Sequence, residues 1–221
     1  MNDNTEKTKI MHIRKTTKDR TQFTFRLGDN IVAFVNKYRY LGLTLSEHID
    51  YNVSVSELVS AGSRSLGSLI SKFFNMGNMD YDIFTKIYEN TVIPVLDYAS
   101  GVWGAKQYDN IERLHYRAIR TFLGVGKTTP IPAILADMGW HPVFIHNQCN
   151  VVRLWCRLMN MPGHRICRKV FVWDREMSRR YRNTWFNSAK TLLDRCNLSH
   201  LTENDSAIST RFILDSVKSN L

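Results

Sequence analysis

Apolar and polar positions change period once along this chain. Up to about residue 46 they alternate. Phe23-Thr24-Phe25-Arg26-Leu27 has period two, and Ile31-Val32-Ala33-Phe34-Val35 is its natural partner. Gly28-Asp29-Asn30 supplies turn chemistry between them, so a hairpin is expected. Ile10-Met11-His12-Ile13 predicts a further short strand, and the first nine residues a polar, mobile start. The stretch from Lys37 to Leu45 also reads as a strand. Tyr38, Tyr40, Leu43 and Leu45 favour strands, and Lys37 and Arg39 alternate with the tyrosines, so one face packs and the other stays wet. Gly42 lets a backbone or a ligand come close. So few strands do not make a self-sufficient domain.

From Tyr51 onward the period is helical. Val55, Leu58, Val59, Gly62, Leu66, Leu69, Ile70 and Phe73 share one face of a long helix that Gly77-Asn78 ends. Asp80 is placed to cap a second helix, which carries Ile83, Phe84, Ile87, Tyr88 and Thr91 and continues to Tyr98. Pro94 kinks or divides it. Gly101-Val102-Trp103-Gly104 predicts a tight connection with an aromatic anchor. Asp109 or Asn110 then caps a helix to Leu123, Ile131 to Met138 forms a short one, and His141-Pro142 opens another that Met161-Pro162-Gly163 stops. Further helices are expected over roughly 164–176, 178–196 and 205–218. The expected fold class is α+β, mostly α: a small N-terminal antiparallel β-hairpin or sheet followed by a multi-helix bundle. The expected divisions are 1–46, 47–161 and a basic helical extension, 162–221.

Charge adds direction. The 221 residues carry a net +10, with a pI near 9.6. Residues 1–40 hold nine basic groups against four acids, and residues 163–197 nine against three. That balance favours a polyanionic partner, nucleic acid ahead of a membrane surface. In the helix ending at Leu123, Ile111, Leu114, Ala118 and Phe122 fall on one side and Arg113, Arg117 and Arg120 on the other. Glu112 is the only acid facing that ridge. The ridge reads either as a solvated face or as a track for phosphates. Farther on, Trp173, Tyr181, Trp185 and Phe186 lie among Arg175, Arg179, Arg180 and Arg182, either to stack bases or to anchor helices.

Several chemistries fall away. Gly124-Val125-Gly126-Lys127-Thr128 imitates a phosphate-binding loop, but Thr121 stands where that loop needs glycine, and Pro130 and Pro132 follow where it needs a helix. Lys127 remains a candidate phosphate contact. The apolar run Val92 to Leu96 is far short of the ~20 residues a membrane helix needs. The start MNDNTEKTK lacks a signal core, so an intracellular protein, nuclear or cytoplasmic, with no membrane partner is expected. The four cysteines form no C-x-x-C pair. His146-x-x-Cys149 and His164-x-x-Cys167 make zinc conceivable, but Cys149 and Cys156, seven apart, suit buried small hydrophobes. The 20 acids are scattered; Asp80 and Asp82 have no third partner, and His115 has no visible one. No catalytic residue and no metal ligand is assigned.

One family ties these features together. Lys7-Thr8-Lys9-Ile10-Met11, a Gly-turn hairpin, Tyr38-Arg39-Tyr40-Leu41-Gly42, the run from Ile93 to Gly104, Ile111 to Arg120 and Ile134 to Trp140 occur in that order. This order resembles the C-terminal part of the reverse transcriptase of non-LTR, LINE-like retrotransposons of the jockey-like or chicken-repeat-like lineage, over roughly residues 7–160. The resemblance implies a palm remnant in 1–46, with Tyr40, Leu41 and Gly42 as a primer grip beside Arg39, and a thumb in 47–161. The implied partners are RNA, DNA or an RNA–DNA duplex, together with a separate catalytic palm polypeptide. The family's Mg2+-binding aspartates would lie upstream of Met1, so no cofactor is assigned and polymerisation by this chain alone is not expected. The alternative is a helical protein-interaction module, or a captured or decayed retroelement fragment without polymerase activity.

Overall fold

A computed structural model of the chain describes residues 8–77, 79–202, 211, 213–215 and 217. It is mostly helical, with two small antiparallel hairpins ahead of the helices. Two compact units result, Met1–Ser60 and Ala61–Leu221, and their boundary falls inside helix α1 (Asn52–Asn75). Most of the helix expected over 205–218, and the first seven residues, lie outside the described positions.

In the first unit the expected pairing of residues 23–27 with 31–35 contracts to two rungs. Strand β1 (Arg26–Leu27) pairs with β2 (Asn30–Ile31), Arg26 opposite Ile31 and Leu27 opposite Asn30. Gly28 takes the left-handed backbone, φ 59°, that the reversal demands. Ile10 forms no strand; it makes one parallel bridge to Phe34, through Ile10 N to Ala33 O at 3.1 Å and Val35 N to Ile10 O at 2.9 Å.

The stretch from Lys37 to Leu45 is two strands, not the single one expected. Strand β3 (Lys37–Tyr40) folds back on β4 (Leu43–Ser46), with Tyr40 opposite Leu43. Leu41 at φ 47° and Gly42 at φ 86° are the two central residues of the turn. Positive φ at both positions is the signature of a type I′ turn, whose twist matches that of paired strands. Strand β4 is held by the start of α1. The Thr44 hydroxyl donates to Glu57 Oε2 at 2.6 Å, and the Ser54 hydroxyl donates to the Thr44 carbonyl. Just beyond β4, Arg20 and Arg14 reach Glu47 Oε2 at 2.6 and 3.2 Å. The Arg20 hydrogen bond, with both guanidinium charges adding, holds the Glu47 carboxyl below its usual range.

The second unit begins with the latter part of α1, followed by α2 (Tyr81–Thr91), α3 (Ile93–Leu96) and α4 (Ser100–Trp103). Pro94 sits in the first turn of α3, so the expected long helix is divided at Val92. Asp80 stands at the N-cap of α2 without a side-chain cap bond. The tight connection expected over Gly101–Gly104 is instead the helical turn α4. It lies close against α7 (Val143–Met159), because Gly101 and Gly104 present no side chain. A Cβ at Gly104 would meet the Asn147 carbonyl at 2.9 Å, and one at Gly101 the Asn150 carbonyl at 3.1 Å.

Helix α5 (Asp109–Leu123) has Tyr108 at its N-cap, one residue before the first expected cap, and α6 (Ile131–Met138) has the expected bounds. Helix α8 spans Ile166–Met177 and α9 Trp185–Arg195. The latter starts later than expected because the Asn187 amide donates to the carbonyls of Ser178, Tyr181 and Arg182, holding 178–184 as a loop. Thr184 Oγ1 caps α9 by accepting the Asn187 N–H at 3.2 Å. One core joins α7, α8, α9 and the 3-10 turn Ser199–Thr202 region. It contains Trp155, Phe171, Phe186 and Leu193, together with Cys149, Cys156 and Cys196, which are buried as apolar side chains.

Helix α7 opens on Pro142, which offers no capping side chain. Its first amides are taken by a residue 31 positions upstream: the buried Glu112 carboxylate accepts from Val143 N at 3.2 Å and Phe144 N at 2.7 Å. A carboxylate at a helix N-terminus also meets the positive end of the helix dipole. Glu112→Ala leaves both amides buried without an acceptor and is expected to destabilise the Ala61–Leu221 unit by about 3 kcal/mol in urea unfolding. A change below about 0.5 kcal/mol would show that water replaces the carboxylate.

Candidate nucleic-acid interface

The eight residues singled out from sequence fall into two groups, one on each unit. Arg39, Tyr40, Leu41 and Gly42 form the end of β3 and the β3–β4 turn. All four residues of β3 are exposed, and Tyr40 and Leu41 are 60% and 75% exposed. Strand β4 accounts for this, since it takes the packed side of the hairpin and leaves β3 to solvent. Leu41 is notable because a side chain with a branched γ carbon rarely accepts positive φ. The hairpin therefore presents a rigid tip with two exposed apolar side chains beside the Arg39 guanidinium.

The second group lies on α5 and the loop behind it. Arg113 and Arg117 are exposed, and among the described residues no carboxylate lies within ion-pair distance of either. Arg113 Nε donates to the Asp109 carbonyl at 3.3 Å, which fixes its stem along the helix. Glu112 does not face this ridge as the helical wheel suggested; it is turned inward onto α7, and the acid of α5 that stays on the ridge side is the exposed Asp109, one turn before Arg113 and outside ion-pair distance of it. Arg120 is half-buried and donates to the Thr129 carbonyl at 3.1 Å. That bond holds the turn Gly126–Thr129, itself closed by Thr129 N to Gly126 O at 3.3 Å, and Lys127 is exposed within it. Arg120 thus braces the loop that carries Lys127, while Arg113, tied at Nε to its own helix, and Arg117 stay exposed to solvent.

Beneath the ridge lies a buried polar cluster that sequence reading did not assemble. Tyr88 Oη and His115 Nδ1 are 2.7 Å apart, and Trp140 stacks on both rings, with centroids 4.6 Å from Tyr88 and 5.5 Å from His115. Burial pushes His115 down to about 4, the His141 backbone opposing, and pushes Tyr88 far above its ordinary value, with Glu112 adding. Burial raises Glu112 itself, and its two backbone bonds partly offset that. Tyr116 is raised to about 12, chiefly by burial and then by the neighbouring Glu112. The missing signal was the uncapped start of α7: a helix opening on His-Pro needs an acceptor from elsewhere in the chain.

The aromatic residues among the C-terminal arginines divide. Phe186 is buried, and Trp185 is half-buried with its Nε1 donating to Gly101 O at 3.0 Å. Trp173 and Tyr181 are exposed at 59% and 56%. Asp80 and Asp82 lie at the start of α2, and among the described residues no group of three potential metal ligands converges. None of the described helices is long and apolar enough to cross a membrane. No family model matches the sequence, and neither a curated protein nor a solved structure matches it.

Two measurements test this geometry. Leu41→Gly removes a left-handed leucine costing roughly 1–2 kcal/mol and adds part of that back as unfolded-state entropy. The hairpin amides of β3 and β4 are therefore expected to exchange hydrogen about threefold more slowly in the variant; faster exchange would mean that the Leu41 side chain holds the turn. His115 binds its proton near pH 4 when folded and near 6.5 when unfolded. The unfolded chain then holds more protons below pH 6.5, so stability falls as pH falls through that window. The loss is about 2 kcal/mol between pH 6.5 and about 5, and His115→Gln is expected to flatten it. Glu112, whose raised pKa acts with the opposite sign, is common to both proteins in that comparison.

Proposed function

We propose that this chain is a nucleic-acid-binding, thumb-like part of an RNA-directed DNA polymerase of the non-LTR retrotransposon kind, acting inside the cell on RNA, DNA or an RNA–DNA duplex. The observation that carries the reading is the α5 ridge: Arg113 and Arg117 stand exposed on a helix whose opposite face is core, and no carboxylate of the described residues lies within ion-pair distance of either. A rigid helix holding two guanidinium groups about one turn apart is suited to successive phosphates, which guanidinium binds through two donors at once. Lys127, on the turn braced by Arg120, extends the same charge beyond the helix. The net charge of +10 supplies long-range attraction to a polyanion. On this reading Arg39, Tyr40, Leu41 and Gly42 meet the primer strand at the hairpin tip, where Tyr40 and Leu41 lie against sugar or base and Arg39 against phosphate.

The chain's own residues supply no polymerase chemistry on this reading. Convergent carboxylates would have to come from a separate palm polypeptide.

Anisotropy of a labelled RNA–DNA hybrid, titrated at several KCl concentrations, tests the proposal. About five neutralised phosphates give a slope of log K on log salt of roughly −4. Arg113→Glu with Arg117→Glu is expected to reduce its magnitude by about 2. Binding that ignores salt, or a slope unchanged in the double variant, rejects the ridge as the contact surface. Nucleotide incorporation on a primed template by the chain alone would contradict the assignment of chemistry to another polypeptide.

A further inference from the structure

Helix α8 is apolar on two opposite faces. Its inner face carries Phe171, buried at 3%. Beside it, Arg168 lies over the Phe171 ring and donates to the Leu158 carbonyl at 3.2 Å, and Arg175 donates to the Thr202 carbonyl at 3.3 Å. That face belongs to the core. The outer face carries Ile166, Val170 and Trp173, exposed at 77%, 56% and 59%. With Met177 they fall within an arc of about 60° at helical spacing. The spacing i, i+4, i+7 spans about 10 Å and is the register in which one helix seats side chains against another.

The surroundings of this stripe are basic. Arg165 and Lys169 flank it on α8, and Arg179, Arg180 and Arg182 follow in the loop that Asn187 pins through three carbonyls. Against these five exposed cations, the described residues from Arg165 to Thr184 hold one exposed acid, Glu176; Asp174 is engaged, accepting the Phe186 N–H at 2.7 Å. The loop is thus held in place while its arginines face solvent.

We propose that the outer face of α8 is a docking surface for an acidic amphipathic helix of a partner protein. The apolar stripe takes the partner's leucine-type side chains, and the basic rim takes its flanking carboxylates. Charge decides against a second copy of this chain, since two such rims would face each other with like charge. The aliphatic pair Ile166 and Val170 decides against a single nucleic-acid strand, whose bases would use only Trp173 and Tyr181 and leave the rest of the stripe uncovered. The surface is separate from the α5 ridge and does not depend on the polymerase reading.

The test uses the full chain and a panel of fluorescein-labelled synthetic helical peptides with leucine at i, i+3, i+4 and i+7. Their remaining positions are rich in Glu, in Gln or in Lys. The Glu peptide is expected to bind at least about tenfold more tightly than the Gln peptide, and than a charge-matched version with serine for leucine. Val170→Glu and, separately, Lys169→Glu should each weaken it at least about fivefold while far-UV dichroism stays unchanged, because both side chains point into solvent. Val170→Glu should leave RNA–DNA binding as it was, and Arg113→Glu with Arg117→Glu should leave peptide binding as it was. The proposal is overturned if no Glu peptide binds at 100-fold the protein concentration used, or if binding ignores Val170→Glu. It is equally overturned if Val170→Glu instead abolishes binding to phosphatidylserine vesicles, to a single-stranded oligonucleotide, or between copies of the chain, with no peptide bound.

Discussion

The carboxylate of Glu112 is the constraint around which the helical unit is arranged. Helix α7 is the longest element wholly within that unit, and nothing in its own sequence caps it. Its N-terminal amides would be orphaned in a buried position were it not for a side chain from α5. The bond fixes where α7 starts relative to α5, and α7 in turn contributes more of the core shared with α8 and α9 than either of them. The same inward turn of Glu112 takes one of the two acids of α5 away from its arginines, leaving Asp109 one turn before Arg113. A structural cap and a more strongly basic ridge are therefore two consequences of one side-chain orientation. Burial of that carboxylate costs desolvation, which the raised pKa expresses, and two backbone donors with the helix dipole offset part of it.

Around this frame the exposed groups sort by what the backbone already requires of them. Arg120, Arg168, Arg175, Arg14 and Arg20 are all engaged by carbonyls or by Glu47, so they hold structure together. Arg113 and Arg117 on α5, and Arg179, Arg180 and Arg182 after α8, are exposed, with Arg113 tied only through Nε to a carbonyl of its own helix. Basic composition alone does not separate these two populations. The distinction matters for binding, because a guanidinium committed to a carbonyl contributes direction and rigidity, whereas an exposed one releases counterions when it meets a phosphate or carboxylate.

Much of the helical part was legible from period alone. Helix α6 and the division at Pro94 follow from local rules: glycine or proline at the ends and apolar residues on one face. The burial of Cys149 and Cys156 was equally legible from their seven-residue spacing, whereas that of Cys196 was not. What failed were positions where a side chain far away in sequence intervened. The start of α9 moved because Asn187 satisfies the carbonyls of the preceding loop. The role of Glu112 was invisible because its partners lie 31 and 32 residues away. The segment from Lys37 to Leu45 reads as one strand by composition, and only the backbone at Leu41 and Gly42 turns it into a hairpin, since leucine gives no sign of a left-handed conformation.

The sequence by itself determined most of the helices, their apolar faces and the basic balance, because each depends on residue type and spacing within a few turns. Tertiary structure alone decided which side chains are spent and which are available. Trp173 and Phe186 are alike in composition and in arginine-rich surroundings, yet Phe186 fills the core and Trp173 stands in solvent. Arg117 and Arg120 share a helical face, yet only Arg120 finds a carbonyl. Burial and hydrogen bonding depend on where distant segments come to rest, and local pattern does not encode that.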